Sequence, residues 1–361
     1  MDKELQTKLE PLREKIDRLD HEILALINER AKTAQAVGDL KHEHHAQGPV
    51  FRPERESQVI RGLQNQNAGP VTPDGIEAIW SQIISVCRGL EQDIRVAYLG
   101  PAGSFSEQAA FEYMGQAISG VACPNFDEVF RTVESQGAHV GIVPVENSTE
   151  GAVNRTLDLL LNSPLRIVGE HSILIKHCLL TQTGAMDKVT KVLAHPQALA
   201  QCQHWLGMNH PTLTREPAAS NAEAARIAAS DPTVAAIASD IAARTWQLQV
   251  VAEGIQDDPT NRTRFLAIGA IETLPSGRDK TSLILAVANE AGAVYKMLAP
   301  FSDNGVSMTR FESRPARNGQ WEYHFYVDIE GHEQEPAVAK AIEELRTRCA
   351  FLKILGSYPR Q

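Results

Sequence analysis

Val96-Ala97-Tyr98-Leu99-Gly100-Pro101-Ala102-Gly103-Ser104 divides this chain of 361 residues into two kinds of sequence. Its first four residues form an apolar run of strand type. The next five are a Gly/Pro turn that leads into an Ala-rich helix. Downstream, strand-like runs recur at residues 140–143, 173–175, 189–194, 234–238 and 265–268, with helical stretches between most of them. This alternation predicts an α/β layout with a mostly parallel sheet, and about 180 residues suit two lobes around a cleft.

Upstream, the first ninety or so residues read as helix. Leu5, Leu9, Leu12, Ile16, Leu19, Ile23 and Leu26 alternate at spacings of four and three, a heptad seam on one helix over residues 5–41. Extending the seam predicts positions 30, 33 and 37, and position 30 is Arg. Residues 42–53 read as a loop containing His42, His44 and His45. Pro53 opens a short helix to about Leu63. Thr72-Pro73-Asp74 is an N-cap signature for a third helix with the face Ile76, Trp80, Ile83, Cys87 and Leu90. After Pro275-Ser276-Gly277, a plausible linker, the order strand–helix–strand–strand–helix–strand is ferredoxin-like, with Gly319 at the hairpin turn. The expected domains are 1–93, 94–275 and 280–361.

Composition narrows the function classes. With 43% hydrophobic residues the chain can fill several cores, and a net charge of −10 disfavours nucleic acid. Five scattered cysteines without a CxxC pair fit a reducing cytosol rather than a disulfide scaffold or zinc site. No signal peptide and no membrane-length apolar run is visible, so a cytoplasmic protein without membrane partners is expected. No carboxylate or cysteine frames the three histidines, and a solvated loop is preferred over a metal site.

Charges on an apolar face suggest chemistry. A buried Arg30 is costly unless paired. Lys41, three turns on, shares its face. Glu91 follows Cys87 by four, and Arg55 and Glu56 sit in the first turn of the middle helix. Two readings stay open: an ion-pair network or solvated bundle end, and a pocket for a small dianion. In the α/β part, polar clusters stand at strand ends, where open sheets bind ligands. They are Gly100–Ser106, Val143-Pro144-Val145-Glu146-Asn147-Ser148-Thr149-Glu150-Gly151, His195-Pro196-Gln197, Ser220-Asn221-Ala222-Glu223, and Asn261-Arg262-Thr263-Arg264-Phe265. Backbone N–H groups after Gly103 and at 149–151 could hold carboxylates. No G-x-G-x-x-G follows a strand, which disfavours a nicotinamide enzyme.

Taken in this order, the segments resemble the bifunctional chorismate mutase–prephenate dehydratases of phenylalanine biosynthesis. Residues 5–95 resemble the all-helical chorismate mutases through Leu12-Arg13-Glu14-Lys15-Ile16-Asp17 and Arg55-Glu56. The resemblance implies that Arg13, Arg30 and Lys41 bind the carboxylates and ether oxygen of chorismate. Glu56 would accept the ring hydroxyl and Glu91 would sit over the ether oxygen, with Arg52, Arg55 and Cys87 also at the substrate. Arg52, Cys87 and Glu91 depart from the usual acidic residue, small hydroxyl and glutamine. The family's intertwined dimer agrees with geometry: Arg13 and Arg30 stand about 25 Å apart on one helix, too far for one chorismate.

Residues 95–275 resemble prephenate dehydratases, which implies a two-lobed, periplasmic-binding-protein-like fold. Thr263 would be the proton donor, activated by Arg264. Ser104, Asn147, Ser148, Thr149, Ser220, Asn221 and Arg264 would contact prephenate, without metal, nucleotide or flavin. Residues 281–361 resemble an ACT domain. Gly292, Ala293 and Val294, with Glu312, Ser313, Arg314 and Pro315, would bind L-phenylalanine at a dimer interface as a feedback inhibitor. A plain structural domain is the bland alternative. Two rivals remain for the whole chain: a monofunctional dehydratase with a helical dimerisation segment, and a non-catalytic amino-acid sensor.

Overall fold

The computed structural model describes residues 3–44, 48–288, 290–315 and 323–360. His45 and the Gly319 turn lie outside the described residues. The chain divides into two compact units, Met1–Arg52 with Ile60–Ile94 and Met114–Ile118, and Pro53–Val59 with Arg95–Tyr113 and Ser119–Gln361.

The first unit is helical. It contains α1 (Lys3–Glu43), the later part of α2 (Pro53–Gln66) and α3 (Pro73–Glu91). Thr72 caps α3 by accepting from the Gly75 N–H, and Pro stands in the first turn of both α2 and α3. α1 runs through Glu43, so His42 belongs to the helix rather than to a loop. Among the described residues the predicted seam is left largely uncovered: Leu5, Leu12, Ile16, Leu19, Ile23 and Leu26 are 45–64% exposed. The face of α1 that packs on α3 starts further on and one position over, at Ile27, Ala31, Ala34 and Gly38. Positions 33 and 37 are therefore exposed. A straight helix drifts from a seven-residue repeat, which moves the contact stripe off the seam. Gly38 is required there, because a Cβ would lie 2.8 Å from Glu91 Cγ. On α3, Ile76, Ile84, Ser85 and Cys87 are buried, whereas Leu90 is 49% exposed.

Besides Pro53–Val59 of α2, the second unit contains β1 (Arg95–Leu99), most of α4 (Phe105–Met114), β2 (Ser119–Cys123), α5 (Phe126–Glu134), β3 (Val140–Asn147), β4 (Gly151–Ala152), α6 (Asn154–Asn162) and β5 (Arg166–Leu174). The chain then crosses to a second sheet with β6 (Cys178–Thr181), β7 (Lys191–Ala194), α7 (Pro196–Gln201), α8 (Gln203–Asn209), β8 (Thr214–Pro217), α9 (Asn221–Ser230), β9 (Val234–Ala238), α10 (Asp240–Thr245) and β10 (Gln249–Glu253). It returns through β11 (Arg262–Gly269). The first sheet has the order β2-β1-β3-β11-β5, with β4 on β3, and the second β10-β6-β9-β7-β8. Two sheets joined by two crossovers make the two lobes expected. The parallel prediction needs correction in one respect. The first strand after each crossover, β6 and then β11, enters antiparallel to both neighbours. A chain arriving from the other lobe comes from the opposite end of the sheet.

The last segment is β12 (Asp279–Ala286), α11 (Ala293–Asp303), β13 (Met308–Pro315), β14 (Tyr323–Glu330), α12 (Pro336–Arg348) and β15 (Phe351–Pro359). Its order β13-β14-β12-β15, antiparallel throughout, is the ferredoxin-like sheet. One face buries Leu283, Leu285, Val327 and Ile329 under the two helices. From the other face Ile284, Tyr326, Leu355 and Tyr358 join a single core with Val143, Leu157, Leu160, Ile167 and Leu266 of the first lobe. Gly356 permits this approach, since a Cβ there would lie 2.2 Å from the Ile167 carbonyl oxygen. The predicted linker is tied down: Ser276 is buried, and its N–H donates to Asp279 Oδ2 at 2.8 Å.

Candidate active sites and the regulatory face

In the helical unit, Lys41 Nζ lies 2.8 Å from Glu91 Oε1, the carboxylate 13% exposed. Arg30 is half-buried on the same helix as Lys41, and Cys87 is buried on α3. Arg13 is exposed far up α1. Arg52 is the N-cap of α2, with Arg55 exposed and Glu56 half-buried in its first turn. Sequence reading missed Arg88, which is buried, donates to the Met114 carbonyl and lies over the Phe51 ring at 5.2 Å.

In the α/β body the centre of organisation is Asn147, at the end of β3. Its Oδ1 accepts from the Thr149 N–H (3.0 Å), the Thr149 hydroxyl (2.6 Å) and the Glu150 N–H (3.0 Å). Those backbone donors fix which way the amide faces. Its Nδ2 therefore donates to Thr263 Oγ1 at 2.9 Å, Asn261 Oδ1 at 2.9 Å and the Arg262 carbonyl at 3.2 Å. The Ser148 hydroxyl accepts from the Arg262 N–H at 2.9 Å. Asn147, Ser148, Thr149 and Thr263 are thus brought into one hydrogen-bonded cluster. Of the backbone donors expected to be free for a carboxylate, those at 149 and 150 are spent on Asn147 Oδ1.

Because Thr263 Oγ1 accepts from Asn147, its own O–H is directed elsewhere. The accepted bond strengthens as negative charge grows on the oxygen, which makes the proton easier to give up. Asn261 of the quoted motif and two residues that sequence reading missed, Gln201 and His177, complete the cluster. Asn261 is buried beside Asn147. Gln201 donates to Thr149 Oγ1 at 3.4 Å and accepts at 2.9 Å from His177 Nε2. His177, on the first crossover, is 2% exposed and meets Phe105 edge-on at 5.5 Å. Burial pushes its pKa down, against a smaller opposing effect from Gln201, so it is held neutral.

Other residues expected at prephenate also make bonds within the fold. Ser104 caps α4, accepting from the Glu107 N–H at 3.2 Å. Ser220 caps α9, and Asn221 accepts from the His195 N–H at 2.9 Å. Arg264 is the clearest correction. Alternation along β11 turns it to the face opposite Thr263. There it donates to Glu170 (2.7 Å), Asp328 (2.7 Å) and Tyr358 (3.1 Å), beneath the C-terminal sheet. Burial alone would lower its pKa, but Tyr358, Asp328 and Glu170 more than reverse this and hold it charged. A guanidinium committed in this way does not reach the Thr263 hydroxyl.

In the C-terminal segment, Gly292 takes a left-handed φ of 80° ahead of α11. Beside it a cavity of about 320 Å³ is lined by Val287, Ala288, Glu290, Ala293, Lys296 and Arg348. Glu312, Ser313, Arg314 and Pro315 do not line it. Arg314 instead reaches the first lobe, with Nη2 3.0 Å from Asp158 Oδ1, so one chain does not assemble the two halves of the expected effector site. A cavity of about 1020 Å³ at the crossovers contains none of the predicted residues among its lining. Among the described residues, no cluster of His, Cys, Asp and Glu could hold a metal, and no helix is long and apolar enough to cross a membrane.

Comparison with known proteins places each segment. The family models for chorismate mutase type II, prephenate dehydratase and the ACT domain match residues 12–92, 96–273 and 281–347. A bifunctional chorismate mutase/prephenate dehydratase of Neisseria gonorrhoeae is 46% identical, covering 99% of both chains. One of Pseudomonas aeruginosa is 44% identical over 98% of both. Among solved structures, the prephenate dehydratase of Arthrobacter aurescens in complex with L-Phe has a TM-score of 0.68 at 32% identity, covering 74% of this chain and 90% of that one. Full-length identity at this level, with all three segments in the same order, makes this chain a member of the bifunctional chorismate mutase/prephenate dehydratase family.

Proposed function

We propose that this chain rearranges chorismate to prephenate in its helical segment and converts prephenate to phenylpyruvate in its α/β segment. The observation that carries the dehydratase reading is the Asn147–Thr263 hydrogen bond at 2.9 Å. Prephenate loses CO2 as its ring aromatises, and the departing hydroxide leaves as water by taking the Thr263 proton. The Thr263 oxygen, held by Asn147, then regains a proton from solvent. Ser148 and Thr149 frame the same cleft.

The mutase reaction needs no covalent step. Arg30 and Lys41 hold the charge of the folded substrate, and Glu91 stands at the ether oxygen with Cys87 on the same helix; Arg52, Arg55 and Glu56 are the further substrate contacts proposed, Glu56 for the ring hydroxyl. Arg13 is seventeen residues from Arg30 on one unbroken helix, about 25 Å, so it serves the site of a second copy. The exposed Leu/Ile seam of α1 is the surface such a copy would cover, which supports a homodimer. L-phenylalanine is the proposed effector, taken between the Gly292-Ala293-Val294 turn of one copy and the Glu312–Pro315 segment of another. The Phe-bound relative supports this reading. Five free cysteines, four of them buried, suit a reducing cytoplasm. Small molecules, rather than nucleic acid or membrane, are the partners proposed.

Purified protein incubated with chorismate, with prephenate and phenylpyruvate followed separately, tests both activities. Phenylpyruvate formed from prephenate but not from chorismate would leave a monofunctional dehydratase.

A further inference from the structure

Strand β13 carries the predicted effector segment, and alternate side chains on it face the dehydratase lobe. Arg310, Glu312 and Arg314 are half-buried or buried, whereas Thr309, Phe311 and Ser313 are exposed. Arg310 has an unusual position. Its side chain is 11% exposed, with Nε 3.1 Å from Glu146 Oε2 and Nη2 3.9 Å from Glu312 Oε2. Neither nitrogen makes a hydrogen bond. Arg264 nearby has hydrogen bonds from Nε, Nη1 and Nη2. Arg310 is thus a buried cation between two carboxylates with unspent donors, and a small shift would complete a bond to either one.

The two carboxylates belong to different functions. Glu312 lies in the effector segment. Glu146 immediately precedes Asn147, the residue that orients Thr263. The β3–β11 register pairs Glu146 with Arg264 and Asn147 with Thr263. Alternation sends the second pair to the cleft and the first to the C-terminal sheet. A displacement of Glu146 is therefore a displacement at the base of Asn147.

We propose that Arg310 is a positioning residue for the dehydratase centre, passing the state of the Glu312 segment through Glu146 to Asn147 and Thr263. When phenylalanine engages Glu312, Arg310 gives up one carboxylate for the other, and the Asn147–Thr263 bond is set or released with it. The inference rests on the effector reading given above.

The test uses full-length Arg310→Gln and Arg310→Lys, each checked for a cooperative thermal transition. Phenylalanine binding is measured by calorimetry and inhibition by prephenate turnover. Arg310→Gln should bind phenylalanine within about threefold of the parent yet need at least about tenfold more for half-inhibition. Arg310→Lys, which keeps the charge but not the fork, should fall between and carries the test if Arg310→Gln does not fold. Parental binding together with parental inhibition in the variants overturns the role of Arg310 alone. A parent that binds no phenylalanine overturns the effector reading instead. Positioning is then judged by turnover: a lowered kcat at unchanged KM, partly restored by lysine, supports it, and parental kcat in Arg310→Gln removes it.

Discussion

Replacing Arg264 with leucine separates two roles that its place beside Thr263 would merge. If it were a substrate ligand, KM for prephenate would rise and stability would hold. The structure predicts the reverse. Arg264→Leu strands Glu170 and Asp328, each only 7% exposed. Glu170 keeps the Lys280 cation at 2.6 Å, whereas Asp328 keeps a neutral donor, the Ser282 hydroxyl at 2.6 Å. Removing one partner of a buried pair costs about 3–5 kcal/mol, and with Glu170 still compensated the lower end applies. At roughly 2–4 °C per kcal/mol, the apo transition should fall by about 6–12 °C. Because the penalty is the stranded charge, adding Asp328→Asn should return about half of it, a coupling of about 1–2 kcal/mol. Scanning calorimetry of the two single variants and the double variant measures the coupling, and steady-state kinetics should find KM within about threefold of the parent. A double variant as unstable as the two losses summed would show that the charge is not the cost. A KM raised about a hundredfold at parental Tm would return Arg264 to the substrate.

Thr263→Ala should lower phenylpyruvate formation by about 10²–10⁴ while prephenate accumulates from chorismate, and parental dehydration in that variant would remove Thr263 from the reaction. Gly38→Ala places a methyl 2.8 Å from Glu91 Cγ, which must swing the carboxylate off Lys41. Mutase turnover should fall with dehydratase turnover unchanged, and equal loss of both would refute a local effect. His177 has its pKa depressed in the fold, so on acidification the unfolded chain takes up the proton first. Its contribution to stability is present above the ordinary histidine value of about 6.5 and is lost as pH falls below it, at up to about 1.4 kcal/mol per pH unit. His177→Gln should flatten the fall in Tm between about pH 7.5 and 5.5, and parallel curves for parent and variant would exclude it.

The parts of this molecule that were legible in its sequence are those governed by local periodicity and turn chemistry. Pro53 and the Thr72 cap mark helix starts, the apolar runs 234–238 and 265–268 mark strands, and the C-terminal element order gives its topology directly. What stayed hidden depends on partners far along the chain. Strand β8, Thr214-Arg215-Glu216-Pro217, is a polar edge strand defined only by its pairing with β7. Gln201 and His177 carry no motif and meet only because the first crossover brings them together. The heptad seam is apolar as its spacing indicates, but among the described residues nothing covers it.

Thr263 and Arg264 show why a motif can name residues without giving their directions. Adjacent strand residues face opposite ways, and which one sees the substrate depends on what packs behind the sheet. Here that is the C-terminal sheet, whose Asp328 and Tyr358 lie 64 and 94 residues beyond Arg264. The same sheet supplies Ile284, Tyr326 and Leu355 to the core of the first dehydratase lobe. The boundary near residue 276, plain in the sequence, is therefore not a boundary in packing. A regulatory domain that shares a core with the catalytic lobe has no need of a mobile hinge to signal: a shift at β13 moves Arg310 against Glu146 of β3, one residue away from Asn147.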